Sequence, residues 1–137
     1  MTTSDAAKEH PMSTGPAHIT GIRTISIPVS NQDAALSFYT GTLGFTLLRD
    51  NPTPGGGRWI ELAPGSDNAI VTLEPATPEV SRGAIGIRFT TDDAEAARAA
   101  LLACDVDADE ILRWPGVPAM FAFRDHDGNA FSITETR

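Results

Sequence analysis

The 137 residues, 41% apolar and 20% charged, can enclose one hydrophobic core but not two independent ones. Eighteen acidic against ten basic residues give a net charge of −8. That excludes a nucleic-acid partner, whose binding rests on phosphate neutralisation by Lys and Arg, and favours neutral or cationic small molecules. No apolar run reaches the roughly 20 residues that span a bilayer, so no membrane partner is expected. The start Met-Thr-Thr-Ser-Asp lacks a basic, apolar secretory pattern. A single cysteine, Cys104, can form no internal disulfide, which fits a cytoplasmic location. Following Ala-Ala-Leu-Leu-Ala, it reads as a buried, inert thiol.

Residues 1–17 are polar and aperiodic and read as a mobile tail ahead of one domain at 18–137. Alternation from Gly21 to Val29 predicts a strand. Ser30 or Asn31 then caps a helix whose apolar face is Ala35, Phe38, Tyr39 and Leu43, with Gly44 at its end. A second strand is expected over Phe45–Arg49, and the Pro/Gly-rich stretch Asn51–Gly57 reads as a loop. Arg58–Leu62 and Ala69–Leu73 alternate as a hairpin pair, which completes a first module over 19–75. After a linker at 76–83, the second module, 84–136, repeats the plan. It has a strand over Ala84–Phe89, a helix over Asp92–Ala103 and a strand near Asp109–Trp114. A hairpin then joins Ala119–Phe123 to Ala130–Thr134 through Asp127-Gly128.

The two halves correspond at a spacing of 60 residues. Ile25 and Ile27 match Ile85 and Ile87, Asp33-Ala34 matches Asp93-Ala94, and Thr72 matches Ser132. Two copies of a βαβββ unit make a paired α+β domain with curved mixed sheets around a cavity.

The phrases Ile27–Tyr39 (Ile-Pro-Val-Ser-Asn-Gln-Asp-Ala-Ala-Leu-Ser-Phe-Tyr), Thr42–Phe45 (Thr-Leu-Gly-Phe) and Phe123–Asn129 (Phe-Arg-Asp-His-Asp-Gly-Asn) resemble the vicinal oxygen chelate superfamily. That group includes glyoxalase I, bleomycin-resistance proteins, fosfomycin-resistance enzymes and extradiol dioxygenases. The resemblance covers about residues 19–135. It implies a cavity under curved sheets, often in a homodimer, and in the enzymes a divalent metal held from four equivalent strand positions. Those positions fall here on Thr24, Thr72, Ala84 and Ser132. Three hydroxyls and a methyl group supply neither imidazole, thiolate nor carboxylate, so no metal and no other cofactor is expected.

Alternation places Thr24, Ser26, Trp59, Glu61, Thr72, Arg88, Met120 and Ser132 on the concave side as ligand-binding residues. Trp114, followed by the stiff Pro115-Gly116-Val117-Pro118, is placed at the cavity mouth. Arg88 either binds a ligand carboxylate or phosphate or pairs internally with Glu61 or another acid, and the internal pair is the preferred reading. The expected function is a metal-free binding protein that sequesters a drug or metabolite, aromatic or cationic, stacked on Trp59. The alternative is a lyase, isomerase or epimerase with Glu61 as base and Arg88 or a hydroxyl as electrophile.

Overall fold

The computed structural model describes residues 16–77 and 84–136. The tail reading at 1–15 and most of the linker therefore lie outside the described residues.

The first module contains β1 (Ile25–Val29), α1 (Gln32–Ser37), β2 (Thr46–Pro52), β3 (Arg58–Ala63) and β4 (Val71–Pro75). The second contains β5 (Ala84–Thr91), α2 (Ala94–Ala103), β6 (Asp107–Ala108), β7 (Met120–Arg124) and β8 (Ala130–Glu135). Each module folds into its own four-stranded sheet, in the orders β1-β4-β3-β2 and β5-β8-β7-β6. In each, the first and last strands pair in parallel while the others run antiparallel. The expected α+β class and duplicated plan are what the chain adopts.

Alternation fixes which side each strand buries. Ile27 and Val29 of β1, Ile60 and Leu62 of β3, and Val71 and Leu73 of β4 are all buried. Asn31 caps α1, its side chain accepting the Ala34 N–H at 2.9 Å. The helix then widens into a π-helical turn at Phe38–Thr42, where the adjacent Phe38 and Tyr39 are both buried. Gly44 ends it at φ +80°, a conformation open to glycine without strain. One aromatic cluster joins the modules: Tyr39 meets Phe131 at 6.3 Å between ring centroids, and Phe45 meets Phe89 at 5.4 Å.

The 125–129 loop clasps the two modules. The Tyr39 hydroxyl donates to Asp125 Oδ2 at 2.6 Å. Asn129 Nδ2 donates to the Pro28 carbonyl at 2.7 Å and to Asp125 Oδ2 at 2.9 Å. Asp125 Oδ1 accepts the backbone N–H groups of Asp127 and Asn129, each at 2.9 Å. Gly128, at φ +82°, makes the turn that lets one carboxylate collect these donors.

Several expectations are corrected. β2 runs on through Asn51 and Pro52, because Trp59 and Arg58 of β3 offer them ladder partners. Pro52 sits at the strand end, where its missing N–H costs little. β6 lies upstream of the expected strand at Asp109–Trp114. Arg124 holds it there through Asp107 at 2.8 Å and Asp109 at 2.6 Å, and only a lone bridge, Leu112 to Met120, follows. Cys104 is exposed rather than buried, since α2 ends there and its inward face is carried by Ala94 and Leu101. The matching Asp-Ala pairs differ in role: Asp93 caps α2, whereas Asp33 lies inside α1 and pairs with Arg58.

Candidate functional site

The register of the first sheet sets Ser26 beside Thr72, Thr72 beside Glu61, and Glu61 beside Arg49. Glu61 is the centre of this row and only 4% exposed. Its Oε2 accepts the Trp59 indole N–H at 2.8 Å and the Arg23 guanidinium at 3.4 Å. Its Oε1 faces Arg49 Nε at 3.6 Å. Thr72 is fully buried and donates its hydroxyl to Glu74 Oε2 at 3.0 Å. Thr24, half-buried, lies just before β1.

The preferred Arg88–Glu61 pair does not form, because Arg23 and Arg49 already occupy the carboxylate. Neither arginine was singled out in the sequence. Arg49 could have been found as the residue across the ladder from Glu61, but Arg23 precedes β1 and no local pattern marks it. Two guanidiniums and an indole N–H thus surround Glu61, the arrangement of a structural ion pair, although Oε1 accepts no hydrogen bond of its own among the described residues. Its charge is not uncompensated, as a cation-binding site requires.

On the second sheet, Ala84 stands opposite Ala130, but further along Arg88 stands opposite Ser132. A constant spacing of 60 residues would place Gly86 there, as the match to Ser26. β5 instead bulges at Gly86, whose φ of +86° is open to glycine, and carries Arg88 two places along. Ser132 is in turn opposite Ala122, and Met120 opposite Thr134. Trp114 is 62% exposed in the loop before β7. The structure thus gathers Ser26, Trp59, Glu61 and Thr72 on one sheet, and Arg88 with Ser132 on the other. Among the described residues, no hydrogen bond or ion pair joins the two groups.

The donors do not suit a divalent metal. Among the described residues no group of three or more His, Cys, Asp or Glu could hold one. The Thr72 hydroxyl is directed at Glu74, and the Glu61 carboxylate is held by cations.

The large cavity lies elsewhere, between the modules. It measures about 840 Å³ and runs along the open edge of β5. Leu43, Phe45 and the 64–69 hairpin loop form one wall; Phe89, Leu101 and Ile133 form the other. Of the nine expected ligand-binding residues, only Arg88 lines it. The isoleucines Ile25, Ile85 and Ile87 also face it. Their alternation marks them as apolar-facing, but cannot reveal that what they face is partly open space.

The chain matches the model of the glyoxalase/bleomycin resistance protein/dioxygenase superfamily over residues 16–133. It is similar to the crystal structure of TnmS3, an antibiotic-binding protein from Streptomyces sp. CB03234. The identity is 33% and the TM-score 0.76, over 85% of this chain and 96% of that one. A glyoxalase/bleomycin resistance protein from the same strain is 34% identical with a TM-score of 0.70, over 80% of this chain and 96% of that one. A member of the superfamily from Sphaerobacter thermophilus DSM 20745 is 29% identical with a TM-score of 0.77, covering 85% and 98% respectively. The comparison with curated proteins returned no match. The chain belongs to the glyoxalase/bleomycin resistance protein/dioxygenase superfamily. Among the described residues, no helix is long and apolar enough to cross a membrane.

Proposed function

We propose that this chain is a metal-free binding protein that sequesters a small organic molecule in the cytoplasm and acts as a homodimer. The cavity of about 840 Å³ between the modules carries this reading. Pockets for drug-sized ligands usually fall between about 300 and 1,000 Å³ and are mostly apolar, with a few polar groups that fix orientation. The likeness to TnmS3, an antibiotic-binding protein, supports an organic, drug-like ligand. The engaged Glu61 argues against the lyase, isomerase or epimerase alternative.

The outer faces of the sheets, which carry Trp59 on one side and Met120 and Ser132 on the other, are where we place the second copy. Exposed Leu47 and Leu48 on β2, with Leu112, Trp114 and Val117 before β7, support an apolar contact there.

A thermal-shift screen against aromatic antibiotics and metabolites, neutral, cationic and anionic, tests the binding reading: a saturable rise in melting temperature is expected, and no response from any compound defeats it. Elemental analysis is expected to find no stoichiometric zinc, nickel, manganese or iron. One tightly held ion per chain would defeat the metal-free part. Light scattering should give twice the 14.5 kDa chain mass, and a single chain mass at micromolar concentration removes the dimer.

A further inference from the structure

We infer that the groove between the modules selects an amphipathic organic anion, an apolar ring system or chain bearing one carboxylate or sulfonate, with Arg88 as its anchor. This rests on the binding-protein reading and adds the chemical class of the ligand.

The charge accounting singles out Arg88. Arg23 and Arg49 hold Glu61, Arg58 holds Asp33 and Asp50, and Arg113 holds Glu95. Arg124 holds Asp107 and Asp109, and Arg98 donates to the Asp109 carbonyl at 2.6 Å. Among the described residues, Arg88 is the one arginine without a hydrogen bond or ion pair. An exposed arginine needs no partner, so what marks Arg88 as an anchor is its place on the cavity wall. Its position comes from the Gly86 bulge, which moves it two residues along β5 at the rim of the apolar cavity.

The rest of the lining suits a greasy body. Phe45, Phe89, Phe123 and Ile133 supply ring and branched surface, while Ala97 and Ala100 on α2 leave volume. Among the described residues Asp67 is the one acid in the lining, and its Oδ1 accepts the Ala69 N–H of its own loop at 3.2 Å. The Ala69 N–H turns the Asp67 carboxylate toward its own loop, whereas Arg88 has no partner among the described residues, so the guanidinium is the charged group left to meet a ligand. A planar fork of N–H donors beside an apolar wall matches a carboxylate or sulfonate attached to a hydrophobic skeleton.

The test compares 9-anthracenecarboxylate with its neutral counterpart, 9-anthracenemethanol, titrated by anthracene fluorescence against the full chain. The parent should bind the acid about tenfold more tightly than the alcohol, and Arg88→Gln should reduce the acid to the level of the alcohol. Ala100→Phe, on the exposed side of α2, should weaken both by narrowing the groove, and Trp59→Ala should change neither. Circular dichroism melts check that each variant is folded. The inference is overturned if Arg88→Gln preserves the preference for the acid, or if Ala100→Phe binds both probes as the parent does. It is also overturned if the parent binds neither probe up to millimolar concentration. If Trp59→Ala alone abolishes binding, the ligand sits on the first sheet: this inference falls while the binding-protein reading stands. If Ala100→Phe splits the dimer, a second copy fills the groove and the inference falls as well.

Discussion

Tyr39→Phe isolates one hydrogen bond in the clasp between the modules. The ring is fully buried and packs edge-on against Phe38 at 5.2 Å and Phe45 at 5.6 Å, contacts that phenylalanine keeps. Only the hydroxyl is lost, and with it the 2.6 Å bond to Asp125 Oδ2. Asp125 is itself 8% exposed, and its carboxylate would retain the Asn129 side-chain donor and two backbone donors. A hydrogen bond to a charged, buried acceptor contributes about 1.5–3 kcal/mol. At this chain size that corresponds to a fall in melting temperature of roughly 4 °C per kcal/mol, or about 6–12 °C. Urea unfolding should show a lower midpoint with an unchanged slope, because the surface exposed on unfolding is the same. A loss below about 0.5 kcal/mol, within the range of an ordinary surface substitution, would refute the clasp as a stabilising device.

The same group predicts the pH dependence. Burial first, and then the hydrogen bond to Asp125, raise the Tyr39 phenol well above its ordinary value of 10.0. The native state therefore keeps a proton that the unfolded chain releases above that value. A raised folded pKa means that the stabilisation is fully present below pH 10.0 and is lost as pH climbs above it. Tyr39 is the only tyrosine in the chain, so the difference between parent and Tyr39→Phe isolates its contribution. That gap should narrow above pH 10, and a gap that stays constant there refutes the raised phenol.

Two further substitutions test the local geometry. Gly86→Ala should lower stability by about 1–2 kcal/mol in urea unfolding: an added Cβ meets nothing within 4 Å, so the cost is the left-handed conformation alone. No loss would mean that β5 does not bulge there. Glu61→Gln should lower stability by about 1–3 kcal/mol and shift tryptophan emission, because it leaves Arg23 and Arg49 side by side without their shared carboxylate and disturbs the Trp59 N–H. An unchanged emission spectrum would contradict the indole–carboxylate contact.

Much of the fold was legible because strand alternation and helix caps are local signals. Ile60 and Leu62, or Val71 and Leu73, differ from their neighbours in a way that period two alone reveals. What escaped depends on partners distant in sequence. Asp127-Gly128 could be read as a turn, but nothing nearby indicates that Asn129 reaches the Pro28 carbonyl across 101 positions, or that Asp125 waits for Tyr39. The repeat itself misled at one point. A spacing of 60 residues holds for Thr72 and Ser132, yet the bulge in β5 breaks it for the partners of those two residues. Alternation counted through the bulge keeps Arg88 on the expected face but at the wrong row. Asn51 and Pro52 failed for a related reason: turn composition is a local preference, and the ladder offered by β3 overrode it.

Glu61 and Arg88 show why the kind of charge in a site is weaker evidence than its state of pairing. In the sequence, both are single charges among small and apolar neighbours, equally plausible as ligand contacts. In the fold, one is enclosed by two guanidiniums and an indole, while the other has no ion-pair partner among the described residues and lies at the edge of a largely apolar cavity. Whole-chain charge points the other way, since −8 disfavours an anionic ligand at long range. That field fades over about 8 Å at physiological ionic strength, whereas a guanidinium in contact with its anion is screened far less. The distant acids can slow the approach of an anion, but the contact that retains it is local. If Arg88 anchors the ligand as proposed, selection in the groove follows that contact, and the net charge of the chain bears on solubility and encounter rate.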